Sequence, residues 1–254
     1  MRATVNAGKK HCSSVLNEGK QYFMKKNLEE LEGKIGYSFI DRDILELALT
    51  HSSYANDFKL GKFKHNERLE FLGDAVLELF SSEFLFEEYR NKTEGELTRL
   101  RASIVCEPTL AECARDIELE KYLKLGRGEE ITGGRKRDSI ISDAFEALIG
   151  AVYLDGGFAN AKEFVRKFVM RDIENKHLFY DSKTILQEML QKAFKERVEY
   201  VLTGEEGPDH DKEFKVNAIF DGKIIGSGKG RTKKRAEQQA AYEAILKLRE
   251  QGER

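Results

Sequence analysis

The sequence predicts an all-α domain followed by a small α+β domain of order α-β-β-β-α. Three observations carry this. Apolar residues recur at helical spacing from about Leu28 to Lys176, without strand-like alternation. After Tyr180 the period changes, and Phe214, Val216, Ala218 and Phe220 alternate with polar or smaller neighbours as in a half-buried strand. Finally, 254 residues, 40% of them hydrophobic, suffice for two domains with cores of their own.

Residues 1–23 are rich in Gly, Ser, Asn and Lys with little periodicity, and are expected to form a disordered tail. The helical domain is placed at 24–177, a linker at 178–182 and the second domain at 183–254. Met24-Lys-Lys-Asn-Leu-Glu-Glu-Leu-Glu opens the first helix, and Gly36, Gly61, Gly95, Pro108 and Gly156-Gly157 punctuate the rest. Glycines crowd 126–134, which marks a loop. Ser139 to Leu154 follows and is apolar nearly all round, as a buried helix requires.

In the second domain, Asp181 or Ser182 can cap a helix over Lys183–Glu196. Val198–Thr203 reads as a strand and Gly204–Glu213 as a polar loop. Asp221-Gly222 is a tight hairpin turn into a third strand around Ile224-Ile225. A last helix sets Ala236, Ala240, Ala241, Ile245 and Leu248 along one stripe.

Composition excludes several classes. Lys+Arg 43 and Asp+Glu 45 nearly cancel, so any nucleic-acid surface is local rather than global. The two parts are also balanced: residues 1–178 carry 28 basic and 31 acidic groups (−3), residues 179–254 carry 15 and 14 (+1). Three cysteines (Cys12, Cys106, Cys113) lack metal-ligand spacing and form an odd set, which points to a reducing, cytoplasmic setting. No apolar run reaches the ~20 residues of a membrane span. No Gly-x-x-x-x-Gly-Lys-Ser/Thr loop is present, so no nucleotide cofactor is expected.

The segment His65-Asn66-Glu67-Arg68-Leu69-Glu70-Phe71-Leu72-Gly73-Asp74 carries the chemistry. At about 100° per residue, Glu67, Glu70 and Asp74 fall within roughly 60° of one another on a helix. Leu69, Leu72, Val76, Leu79 and Phe80 lie opposite and are expected in the core. The plain alternative is a solvated face with Lys64 as partner to Glu67. Two details oppose it. Gly73 costs a helix about 1 kcal/mol, which suggests that something packs closely there. Phe71 lies on the acid side, where a large apolar residue resembles an interface anchor.

The helix from Ser139 to Leu154 has only Asp143 and Glu146 as interior acids, with no Lys or Arg inside it. Carboxylates are almost never buried ionised without a partner. Either they hold protons or a cation sits among them. Carboxylates pooled from two helices suit a hard ion, Mg²⁺ or Mn²⁺, and zinc is unsupported by the scattered His and Cys. Such an ion equips a site to hydrolyse a phosphodiester. His51 is a conceivable base but reads better as a packed or capping histidine.

At these residues the chain resembles the ribonuclease III family. Asn66 to Asp74 matches the family signature, and Asp143-Ala-Phe-Glu146-Ala-Leu-Ile-Gly resembles its second acidic motif. Leu49-Thr50-His51-Ser52, Gly133-Gly134-Arg135 and Leu154-Asp155-Gly156-Gly157 stand in family order. Residues 181–254 resemble a double-stranded RNA-binding domain through Lys183-Thr184-x-Leu186-Gln187-Glu188, Gly207-Pro208-x-His210 and Gly228-Lys229-Gly230-x-x-Lys233-Lys234. The resemblance implies a Mg²⁺-dependent endonuclease of double-stranded RNA acting as a homodimer, with Mn²⁺ able to substitute. It implies 5′-phosphate and 3′-hydroxyl products with short 3′ overhangs, and a part in ribosomal precursor and transcript processing. By position, Glu70, Asp74, Asp143 and Glu146 match the metal-binding catalytic acids. Glu67 and Glu94 match acids lining the cleft nearer the RNA, and Phe71 matches the residue that plugs into the partner subunit.

An A-form duplex hides its base edges, so a protein reads its shape, phosphates and 2′-hydroxyls. Thr184, Gln187, Glu188 and Gln191 form a polar stripe suited to a minor groove, and His210 can reach the next one. Lys229 belongs to the acid-free run Gly228–Arg235. Lys233 and Lys234 crowd a helix N-terminus against its dipole, where a stability-only account expects acids. Arg135, Lys136 and Arg137 can hold RNA backbone near the metal, although solvated loop charge explains them nearly as well. The rival readings are a non-catalytic binder of double-stranded RNA on the same scaffold and a hydrolase of small phosphomonoesters. The first should lack one of the acids, and the second leaves the tail domain without purpose.

Overall fold

The computed structural model describes residues 28–191, 197–207 and 212–252. These divide into two compact units, 28–81 with 110–169, and 82–109 with 170–252. Among the described residues, no helix is long and apolar enough to cross a membrane.

The first unit is helical. After α1 (28–35) come α2 (Arg42–Ala48), α3 (Ser52–Asp57), the first part of α4 (Glu67–Glu88), most of α6 (Glu107–Asp116), α7 (Arg127–Ile131) and α8 (Asp138–Phe168). As its all-round apolarity predicts, α8 is the centre of the core: Ile141, Phe145, Leu148, Ile149 and Val152 are fully buried. The Gly156-Gly157 break is a kink inside α8, where Gly157 takes φ 76° and ψ −174°. Asp155 fastens that kink. It accepts the Tyr37 hydroxyl at 2.7 Å and the Ile40 and Asp41 amides at 2.9 and 2.8 Å.

α4 and α8 meet backbone to backbone. A Cβ on Gly73 would stand 1.8 Å from the Glu146 carbonyl oxygen, and one on Gly150 would stand 2.3 Å from the Leu69 carbonyl oxygen. The close packing expected at Gly73 is therefore present, and it has a reciprocal glycine on the facing helix. It also corrects the expected core stripe. Leu69, Val76, Leu77 and Phe80 are buried, but Leu79 is 55% exposed and Leu72 only half-buried. The buried arc is turned toward Gly73, because α8 can approach α4 most closely where no side chain intervenes.

In the second unit, Thr93 and Glu96 form a capping box that starts α5 (Glu94–Ile104). Gly95, expected as a breaker, sits in that first turn instead. α5 packs on α9 (Ile173–Tyr180). The segment 178–182 is not an irregular linker: α9 runs to Tyr180 and α10 (Ser182–Gln191) begins after the single intervening residue Asp181. The reason is burial, since Leu178 shares a core with Leu186, Leu190, Ala241, Ala244 and Ile245.

β1 (Glu199–Glu206), β2 (Glu213–Phe220) and β3 (Lys223–Gly230) form an antiparallel sheet in that order, backed by α11 (Lys233–Gly252). Val216 and Ala218 of β2 pack on Ala236 and Ala240 of α11. Asp221-Gly222 is the expected tight turn, with φ 50° and 69°. β3 runs well beyond Ile225 because Gly226, Gly228 and Gly230 face α11. A Cβ there would stand 2.2, 2.3 and 2.7 Å from its backbone.

Gly73→Ala separates two effects of opposite sign. In a free helix Ala is worth about 1 kcal/mol over Gly, whereas here the methyl meets backbone that cannot swing aside. We expect a net loss of about 2–3 kcal/mol in urea unfolding, at the upper end of ordinary overpacking. A gain in stability would mean that α4 and α8 do not cross as described.

Candidate active site

The start of α4 is held from below. Asn66 is buried, and its amide donates to the Thr50 carbonyl at 2.9 Å. Its own carbonyl accepts the Leu69 and Glu70 amides at 2.8 and 2.9 Å. His51 caps α3, its Nδ1 accepting the Ser53 amide at 3.2 Å, which is the capping role expected of it.

With that end fixed and the Gly73–Gly150 crossing behind it, Glu70 and Asp74 of α4 come into electrostatic reach of Asp143 and Glu146 of α8. Glu146 feels Asp74, Asp143 and Glu70, while Glu70 feels Asp143, Glu67 and Asp74. Burial is the first cause of every shift. It raises the Glu70 and Asp143 carboxyls above their ordinary values, and nearby His51 partly offsets the rise at Asp143. Burial, with three neighbouring carboxylates, pushes Glu146 up to about 8. Among the described residues, no lysine or arginine acts on any of these three groups.

These oxygen donors have no lysine or arginine partner among the described residues. Among the described residues, no group of three or more His, Cys, Asp or Glu is drawn tightly enough to clasp an ion. The chemistry of the donor set nonetheless fits a hard divalent cation, for which carboxylate oxygens are the natural ligands. A cation there would relieve the like-charge burden that holds a proton on Glu146.

The other expected residues are placed as follows. Glu67 opens α4, exposed, with its carboxylate 3.7 Å from His65 Nδ1. Glu94 opens α5 in the second unit, exposed, and accepts the Thr98 hydroxyl at 3.0 Å. Phe71 is 80% exposed. Arg135 is engaged inside its own loop, bidentate to Glu130 at 2.8 and 2.6 Å, and Arg137 pairs with Glu129 at 3.0 Å. Neither guanidinium is free for RNA in this arrangement; Lys136 is exposed.

In the second unit, Thr184, Glu188 and Gln191 are exposed on α10 as the stripe requires. Gln187 departs from it: its Oε1 accepts the Val198 amide at 3.2 Å, so it turns toward β1. Thr184 and Glu188 also line a cleft with Lys92, Arg99 and His177, cations that sequence reasoning did not single out. Lys229, Lys233 and Lys234 are exposed, and Lys233 stands 3.7 Å from Glu205. Thr232 caps α11 by accepting the Arg235 amide at 3.1 Å. His210 and the tail 1–23 lie outside the described residues.

Comparison with known proteins agrees with both halves. A family described as Ribonuclease-III-like matches residues 41–173, and the double-stranded RNA binding motif matches 182–248. Ribonuclease 3 of Streptococcus pneumoniae strain Hungary19A-6 is 48% identical over 226 residues, covering 88% of this chain and 97% of that protein. Among solved structures, the nuclease domain of ribonuclease III from Campylobacter jejuni superposes with a TM-score of 0.53 at 41% identity. That match covers 57% of this chain and 97% of the other, whose structure is described as showing flexibility in a region involved in dimer formation.

The raised Glu146 carboxyl makes stability pH-dependent in a definite direction. Between the ordinary glutamate value near 4.5 and about 8, the folded metal-free chain holds a proton that the unfolded chain has lost. Stability contributed by this group therefore falls as pH rises through that window. Glu146→Gln should match the parent near pH 4 and become progressively more stable than it up to pH 8–9, read from urea midpoints with chelator present. A constant difference across that range would remove the assigned environment of Glu146.

Proposed function

This chain belongs to the ribonuclease III family and is an endoribonuclease of double-stranded RNA; from that premise we propose how it works. It hydrolyses phosphodiesters with Mg²⁺, or Mn²⁺ in its place, at Glu70, Asp74, Asp143 and Glu146. The observation that carries this reading is the pooling of four acids, two from each of two crossing helices, with no lysine or arginine among the described residues acting on Glu70, Asp143 or Glu146.

The four carboxylates would hold the ion by their oxygens. When bound, it supplies an activated water and neutralises charge developing on the phosphate. Glu70, Asp143 and Glu146, partly buried, keep the donor set poised at a fixed place because α4 and α8 cannot slide at their glycine contact. Glu67 and Glu94 line the approach of the RNA. His51 keeps α3 capped beside the acids and transfers no proton. The products carry 5′-phosphate and 3′-hydroxyl ends with short 3′ overhangs.

The second domain, within 183–254, grips the duplex. Thr184, Glu188, Gln191 and His210 contact 2′-hydroxyls across minor grooves, while Lys229, Lys233 and Lys234 take phosphates. Recognition of this kind is indifferent to sequence and sensitive to salt. The nuclease domain spans 24–177. The substrates are ribosomal precursors and other structured transcripts, which places the enzyme in the cytoplasm.

The enzyme works as a homodimer. Phe71, Ala75 and Leu79 lie along one side of α4 at spacings of four, all exposed, with none of the described residues covering them. An apolar stripe on a helix otherwise well packed asks for a partner, and an isologous pair buries both copies at once.

Glu146→Gln should abolish cutting of a long RNA duplex in Mg²⁺, a loss of at least a thousandfold, while gel-shift binding of that duplex persists. Chelator should stop the parent enzyme equally. Surviving cleavage in either arm would overturn the assignment of the acids. Phe71→Arg should sediment as a monomer and lose most of its cleavage; an intact, active dimer would detach Phe71 from the interface.

A further inference from the structure

We infer that the loop joining α3 to α4, together with Arg68, is a phosphate grip for the RNA duplex beside the carboxylates. The inference rests on the reading of this chain as a nuclease of double-stranded RNA and adds a contact surface to it.

The loop is built where stability alone would choose other residues. α3 ends in a Schellman turn, with the Leu60 amide on the Ala55 carbonyl at 2.9 Å and the Lys59 amide on the Asn56 carbonyl at 3.2 Å. The left-handed position of such a turn is ordinarily glycine. Here it is Lys59, at φ 52°, where a Cβ is strained. Phe58, Leu60 and Phe63 then face solvent at 61%, 45% and 59% exposure.

Cations alternate with these apolar residues. Lys59, Lys62, Lys64 and Arg68 are all exposed, and among the described residues none of them pairs with a carboxylate. The neighbouring acids are otherwise engaged: Asp57 accepts the Arg127 amide at 2.7 Å, and Glu67 lies 3.7 Å from His65. Phe63 organises two of the cations, with Lys62 Nζ 5.4 Å and the Arg68 guanidinium 5.5 Å from its ring centroid.

The loop is shaped rather than slack. The Lys64 amide donates to the Gly61 carbonyl at 3.2 Å, and His65 Nε2 lies 2.8 Å from the Lys62 carbonyl. It ends on buried Asn66, one residue before the acidic face of α4 begins. These four cations do not neutralise the neighbouring acids, since none of them acts on Glu70, Asp143 or Glu146. Their charge is complementary to a polyphosphate backbone. A second copy of this chain is the other conceivable occupant. An isologous contact centred on the loop would set cation against cation, which disfavours it.

The test compares the full-length parent with K59G/K62Q/K64Q, titrating each with a perfect RNA duplex in chelator over a range of salt. Lys59→Gly relieves backbone strain, so the fold is expected to remain intact. Affinity at low salt should fall tenfold or more, and the slope of log affinity against log salt should flatten by about 0.9 for each phosphate that the variant no longer neutralises. Sedimentation should show an unchanged oligomer. Unchanged affinity and slope would overturn the inference, as would conversion to a monomer, which would assign the loop to a second copy. Should the triple variant misfold, Lys59→Gly alone is decisive: its slope flattens by the share of one phosphate, or it does not change and the inference falls. A parent chain that neither binds nor cuts the duplex would overturn the nuclease reading itself, a result distinct from all of these.

Discussion

Two missing methyl groups hold this molecule's chemistry in place. Because neither Gly73 nor Gly150 carries a side chain, α4 and α8 touch through their backbones, and the acids Glu70, Asp74, Asp143 and Glu146 come within electrostatic reach of one another. Side chains of ordinary size at either position would hold the helices apart and dilute the charge. The arrangement is costly for the protein alone, since like charges are partly withdrawn from water and Glu146 keeps its proton to about pH 8 in compensation. Local rules of helix stability are broken here by both the glycine and the acids, as is usual where function sets the terms.

This explains what is legible in the sequence. The acids announce themselves because their spacing makes no structural sense without a cation, and Gly73 because a helix interior rarely tolerates it without a close neighbour. Gly150 is invisible, since a glycine in an all-apolar helix gives no hint of which face it serves. The core stripe expected of α4 fails at Leu79 for the same reason. Helical period fixes relative angles, but the centre of the buried arc depends on where the neighbour comes closest.

The same blindness affects the second domain in other ways. β3 looks short because alternating glycines are weak strand formers, yet those glycines are what let α11 lie against the sheet. Gln187 shares a wheel position with exposed polar neighbours, but the open amide of Val198 draws it inward. Arg135 and Arg137 read as an RNA contact because nothing in the sequence marks Glu129 and Glu130 as their partners. Periodicity does not reveal which polar groups find each other across a loop.

The fastening of the α8 kink has a consequence for biogenesis. Asp155 binds Tyr37, Ile40 and Asp41, residues well over a hundred positions earlier in the chain. During synthesis, the segment after α1 must wait for α8 to leave the ribosome before its amides and phenol find their acceptor. Contacts of such sequence separation slow folding and prolong the exposure of unfinished cores. The first unit is therefore closed late, by its own far end, and a nascent chain halted before Asp155 lacks the acceptor for these three hydrogen bonds.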